Sequence, residues 1–119
     1  MEERKQIYAL FVVLNRTEFL PDILTAFKDM GIKATTILDS EGMEHYIFGG
    51  GSMFRELDWE EGVRRRSKTI FSIVEGDDSL KEASDKVSRI LSDFSKPNTG
   101  IMFAFPISTI RGDLFHSDN

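Results

Sequence analysis

The chain has no cysteine among its 119 residues. This excludes disulfides, thiol catalysis and thiolate metal sites together. It also lacks long apolar runs, and nothing approaches the roughly 18 consecutive residues that a membrane helix needs. No membrane insertion is therefore expected. Basic residues are in deficit, with 15 Lys and Arg against 20 Asp and Glu and a formal net charge of −5. A general nucleic-acid binder carries the opposite balance, so no nucleic-acid partner is expected. Histidine is scarce. Neither His45 nor His116 has a serine and carboxylate at a known motif spacing, and the paired acids Glu60 and Glu61 lie in a charged stretch where their pKa values should not separate. The expectation is no enzyme and no catalytic residue. His45 with Glu41 and Glu44 fixes no coordination geometry, so no metal is expected either. The opening Met1-Glu2-Glu3-Arg4-Lys5-Gln6 is charged and runs straight into a strand-sized apolar segment, unlike a signal peptide, and a cytoplasmic location is expected.

What is present reads as one globular domain over 1–119, with 40% hydrophobic and 29% charged residues. Ile7-Tyr8-Ala9-Leu10-Phe11-Val12-Val13-Leu14 is a continuous apolar run suited to a buried central strand. Leu20, Ile23, Leu24, Phe27 and Met30 then form one helical stripe, with Pro21 tolerable in the first turn and Gly31 placed as a left-handed cap. Ala34-Thr35-Thr36-Ile37-Leu38 and Thr69-Ile70-Phe71-Ser72-Ile73-Val74 read as the second and third strands. Ser79 and Glu82 have capping-box spacing ahead of a stripe of Leu80, Ala83, Val87, Ile90, Leu91 and Phe94. The last strand is 101–107, where Pro106 should force a bulge or a lost partner. The order βαββαβ predicts an α+β, ferredoxin-like sandwich, a four-stranded antiparallel sheet with both helices on one face.

A long irregular segment, 39–68, interrupts this regular pattern. Loops beyond about 12–15 residues are usually functional or disordered, which makes this one the expected working part. It holds Gly49-Gly50-Gly51, which does not clearly open a helix and reads as a hinge rather than a phosphate loop. Tyr46, Phe48, Met53, Phe54 and Trp59 are unusually apolar for an exposed loop. They are candidates to anchor a target protein, or to pack the loop onto its own assembly. The run Arg64-Arg65-Arg66-Ser67-Lys68 closes the loop. Arg66 and Lys68 at the loop's return, Lys96 and Gly100 at the entry to the last strand, and Arg111 beyond its exit make a candidate anion site. A solvated charge run balanced by Asp58, Glu60 and Glu61 is the alternative. Phe11, Val13, Phe71, Ile73, Met102, Phe103, Ala104 and Phe105 leave little for a wet sheet face. Self-association, or cover by the loop or the 113–119 tail, is expected there.

The βαββαβ order, the helix closing on Phe27-Lys28-Asp29-Met30-Gly31-Ile32 and the long second loop resemble the P-II nitrogen-regulatory superfamily. So do 68–74 followed by Asp77-Asp78, the segment Thr99 to Ile107, and Ile110-Arg111-Gly112. The resemblance implies a homotrimer with sheets facing inward, effector clefts between subunits and a protruding loop that touches a target protein. It adds Gly42 and Thr99 to Arg66, Lys68, Lys96, Gly100 and Arg111 as effector-binding candidates. ATP, ADP or AMP is the implied effector, with no resident cofactor. The family's loop glutamine has no counterpart between Asp39 and Lys68, and Tyr46 lacks the motif of its modified tyrosine, so modification is not carried over. Asn15-Arg16 and Leu20-Pro21-Asp22-Ile23-Leu24 also resemble the amino-acid-sensing ACT module, which usually has a short hairpin in place of the long loop. A ligand-free oligomeric adaptor related to the trimeric CutA proteins is a third reading.

Overall fold

The structure, a computed structural model, describes residues 5–32, 34–43 and 67–112. The elements are β1 (Ile7–Leu14), α1 (Leu20–Asp29), β2 (Thr35–Ser40), β3 (Ser67–Glu75), α2 (Asp77–Ile90) and β4 (Gly100–Pro106). They form one sheet of order β2-β3-β1-β4 in which every neighbouring pair is antiparallel. This is the ferredoxin-like arrangement expected from the sequence, with β1 and β3 central.

Alternation along the strands assigns the two faces. Leu10, Val12 and Leu14 of β1 and Ile70 and Val74 of β3 point one way and join Ile23 and Phe27 of α1 and Ala83 and Val87 of α2 in one buried cluster. The helices therefore cover that face. Met102 of β4 and Leu80, Ile90 and Phe94 pack at its margin. Burying one such aliphatic or aromatic side chain is worth roughly 1.5–3 kcal/mol, so this cluster supplies the main driving force for folding.

The helix ends depart from simple pattern reading in one place. α1 begins with proline in its first turn and closes on Gly31, φ +84°, where the Ile32 amide donates to the Phe27 carbonyl at 2.9 Å and the Gly31 amide to Lys28 at 3.0 Å. This is the paired hydrogen-bond pattern of a Schellman cap. α2 starts two residues before the expected Ser79 cap. Its N-cap is Gly76, no side chain caps it, and Asp77 and Asp78 occupy the first turn. Carboxylates there suit the positive end of the helix dipole, which explains why the helix reaches back past Ser79.

Pro106 causes no bulge. The Ile107 amide donates to the Ile7 carbonyl at 2.8 Å, so in the antiparallel alternation the nitrogen of Pro106 faces away from β1. β4 is an edge strand and that side needs no donor. The strand simply ends there.

Candidate functional site

The sequence candidates fall at two opposite ends of the sheet. Lys68 and Gly100 both pair with Leu14, one on each side of β1. At a strand spacing of about 4.8 Å they lie roughly 10 Å apart. Lys96 is four residues before Gly100 in the turn after α2, and Gly42 lies just beyond Ser40, the residue paired with Ser67. Lys68, Lys96, Thr99, Gly100 and Gly42 thus share the loop end. Arg111 does not join them: it lines a cleft with Lys5, Gln6 and Ile7 at the start of β1. The seven residues of β4 separate the two ends by roughly 20 Å. Arg66, Tyr46, Phe48, Met53, Phe54, Trp59 and His45 lie outside the described residues.

The sheet reaches deeper into the predicted loop than sequence periodicity indicated. Asp39 pairs with Lys68 and Ser40 with Ser67. Lys68 Nζ meets Asp39 Oδ1 at 2.5 Å. An anion approaching Lys68 therefore meets a cation already partly neutralised. Ser40 Oγ and Ser67 Oγ lie 2.7 Å apart, and Thr69 Oγ1 donates to Ser40 Oγ at 2.8 Å. This hydroxyl cluster fastens the base of the loop. Sequence reading missed it because serine and aspartate weaken a strand pattern, and only the register shows that they face one another.

The turn into β4 is built from its own backbone. Thr99 is buried, its Oγ1 donates to the Lys96 carbonyl at 2.7 Å, and its carbonyl accepts from the Asn15 amide at 3.0 Å. Gly100 has φ +145°, and a Cβ there would lie 2.2 Å from the Val13 carbonyl oxygen. Upstream, Ser92, Asp93 and Phe94 occupy three successive left-handed positions, with φ of 55°, 57° and 58°. Non-glycine residues rarely do so even singly. Strained backbone of this kind marks places where a turn is held in one shape by its surroundings.

The sheet face away from the helices is aromatic. Phe11 stacks on Phe71, Phe103 and Phe105 at centroid distances of 5.3, 5.2 and 5.6 Å. Phe103, Phe105 and Ile101 remain 45%, 46% and 57% exposed, and no described element covers them. A soluble domain seldom leaves such a face to water.

Among the described residues no group of three or more His, Asp or Glu could hold a metal, and no helix is long and apolar enough to cross a membrane. A further polar contact was not foreseen: the Tyr8 hydroxyl donates to the Asp77 carboxylate, tying β1 to the head of α2. That hydrogen bond, with partial desolvation and the neighbouring negative charge, holds the Tyr8 pKa above 10.0.

No family model matches the chain, and no curated protein matches it. Solved structures do. The ATP complex of B. subtilis GlnK superposes with a TM-score of 0.61 at 12% identity, covering 90% of this chain and 86% of that one. Another structure of B. subtilis GlnK gives 0.59 at 14% identity over 87% and 86% of the two chains. Arabidopsis thaliana PII bound to citrate gives 0.57 at 15% identity over 87% and 79%. The chain has a divergent P-II-like fold.

Proposed function

We propose that this chain is a trimeric regulatory protein, not an enzyme. It binds a small anionic effector, an adenine nucleotide, in clefts between subunits and acts on a cytoplasmic target protein through the 39–68 loop. One observation carries the reading. The cations of the candidate site are divided between opposite ends of a single sheet, and that sheet exposes an apolar face suited to another copy. A neighbouring subunit brings its Arg111 to the Lys68, Lys96 and Gly100 end, so the site is whole only in the assembly. Arg66 and Gly42 complete the loop side, and Thr99 holds the turn that carries Lys96. The solved neighbours agree in chemistry, since one holds ATP and another citrate, both polyanions.

Sedimentation and thermal denaturation test this together. The wild-type chain should sediment as a trimer, and Phe103→Asp, which puts a charge on the stacked aromatic face, should sediment as a monomer. ATP, ADP or AMP, with or without magnesium, should raise the wild-type melting temperature. At about 100 times its dissociation constant a ligand specific for the folded state adds ~2.7 kcal/mol. A monomeric wild type that ignores all three nucleotides would overturn the reading. A response to amino acids instead would favour the ACT-type module.

A further inference from the structure

Lys5 and Arg111 are 106 positions apart in sequence yet line the same cleft, of about 520 Å³, at the end of the sheet away from the loop. The strand ends hold them there. Tyr8 pairs with Pro106, the Ile107 amide donates to Ile7, and the Gln6 side-chain amide donates to the carbonyls of Ile7 at 2.9 Å and Ile107 at 3.3 Å. The Lys5 stem rests beside Gly76, with Cδ only 3.3 Å from where a Cβ would stand. The register and this glycine thus fix where the ammonium starts from.

The charge pattern of the cleft opposes that of the chain. Net charge is −5, yet among the described residues no carboxylate lines it. Neither Lys5 nor Arg111 makes an ion pair among the described residues. Asp77, the acid that begins the adjoining helix, is held by Tyr8 instead. Ile7, Ile107 and Ile110 supply an apolar wall beside the two cations. A guanidinium offers a planar fork, an ammonium a point charge, and together they match a phosphate better than a single carboxylate.

We infer that Lys5 and Arg111 form one anion-binding half-site on each chain and that it takes the phosphates of a phosphorylated ligand. The inference rests on the proposed function for the class of ligand, and it adds Lys5, which no resemblance or motif singled out. Its geometry belongs to a single chain. Each copy then presents two cations to its neighbour's Lys68 and Lys96. Asp39 offsets part of the Lys68 charge, and Lys5, Arg111 and Lys96 still favour a diphosphate or triphosphate over a monoanion.

Calorimetric titration with inorganic pyrophosphate and, separately, with ATP tests this on the full chain. The variants are Lys5→Met, which keeps the stem against Gly76 and removes the charge, Lys5→Arg, and the double variant Lys68→Ala with Lys96→Ala. Losing one charge-assisted contact should weaken binding roughly tenfold or more. The expected result is that Lys5→Met weakens both ligands by that factor at unchanged melting temperature and sedimentation, and that Lys5→Arg restores it. An effect on ATP alone, with no pyrophosphate binding, keeps the half-site and assigns it to the phosphates of a nucleotide. Wild-type binding that Lys5→Met alters by less than twofold overturns the inference and leaves the proposed function standing. Loss in Lys5→Met with none in the double variant keeps the half-site and overturns the site shared between subunits. If the wild type binds neither ligand, both fall.

Discussion

Replacing Gly100 with alanine tests the account of the turn into β4. Two independent terms act at that position. Its φ of +145° lies where L-residues are strained, at a cost of order 1–3 kcal/mol. The new Cβ would also stand 2.2 Å from the Val13 carbonyl oxygen, with Val13 C and Leu14 Cα both at 3.3 Å. These are backbone atoms of the central strand and cannot rotate away. β4 must move back by roughly 1 Å, which overpacking data put at a further ~1–3 kcal/mol. The sum centres near 4 kcal/mol, a large part of the roughly 5–15 kcal/mol available to a domain. At ~2–8 °C per kcal/mol, depending on domain size, the melting temperature should fall by about 10–20 °C.

Gly31→Ala is the matched control. Its φ is +84°, but nothing lies within 4 Å of the Cβ position, so only the backbone term remains, about 1 kcal/mol and a few degrees. Circular dichroism melts of both variants at one protomer concentration supply the comparison, since self-association makes melting concentration-dependent. If Gly100→Ala melts within about 4 °C of wild type, or no lower than Gly31→Ala, the steric argument is wrong.

Two further expectations concern the strained turn and the head of α2. Asp93→Gly should stabilise the fold by ~0.5–1 kcal/mol, because glycine adopts φ near 57° without the L-residue penalty and gives back only part of that gain as chain entropy. A urea midpoint that falls rather than rises would show that the Asp93 side chain contributes more than its backbone costs. Tyr8 should ionise above 10.0, as followed by ultraviolet absorbance in a Tyr46→Phe background that leaves it the sole tyrosine. A raised pKa means that the folded state holds the proton more tightly, so this stabilisation is present below 10.0 and lost as the pH rises through the folded-state value. Asp77→Asn should bring the value back toward 10.0, and ionisation of the parent at or below it would refute the hydrogen-bonded arrangement.

The elements with strong periodicity were legible. β1 has its observed bounds because eight consecutive apolar residues permit no other reading, and the Ile23–Phe27 and Ala83–Val87 stripes identify the buried helix faces. What failed depended on partners. Ser79 has the spacing of a cap, but the choice between Ser79 and Gly76 turns on the chain leaving β3, where the Gly76 amide donates to Gln6 at 2.8 Å. Pro106 threatens a ladder only if its nitrogen faces a partner, and nothing local says that it faces the open edge. The Asp39–Lys68 and Ser40–Ser67 rungs were absorbed into the loop because polar residues carry no alternation signal. Of the candidate residues, Lys68 and Gly100 lie at one end of the sheet, a position readable from the strand order because both adjoin strands whose order fixes the end.

Arg111 shows why residue type alone could not assemble the rest. It stands only eleven positions after Gly100, yet an intervening antiparallel strand sends it to the far end. A shorter connection would have left all the cations in one cleft of one chain. Here each chain divides them, one group beside the loop base and one beside Lys5. Under the proposed reading, effector affinity and subunit association are then linked thermodynamically. A ligand that contacts two subunits stabilises their contact by the same free energy that their contact adds to its binding. The exposed phenylalanine face would have to supply association that survives without ligand, because otherwise the cleft would vanish on dilution. Phe103, Phe105 and Ile101, 45%, 46% and 57% exposed, offer the apolar area for that task, about half of the roughly 1.5–3 kcal/mol that full withdrawal of each side chain is worth, whereas an exposed ion pair contributes only about 0–1 kcal/mol.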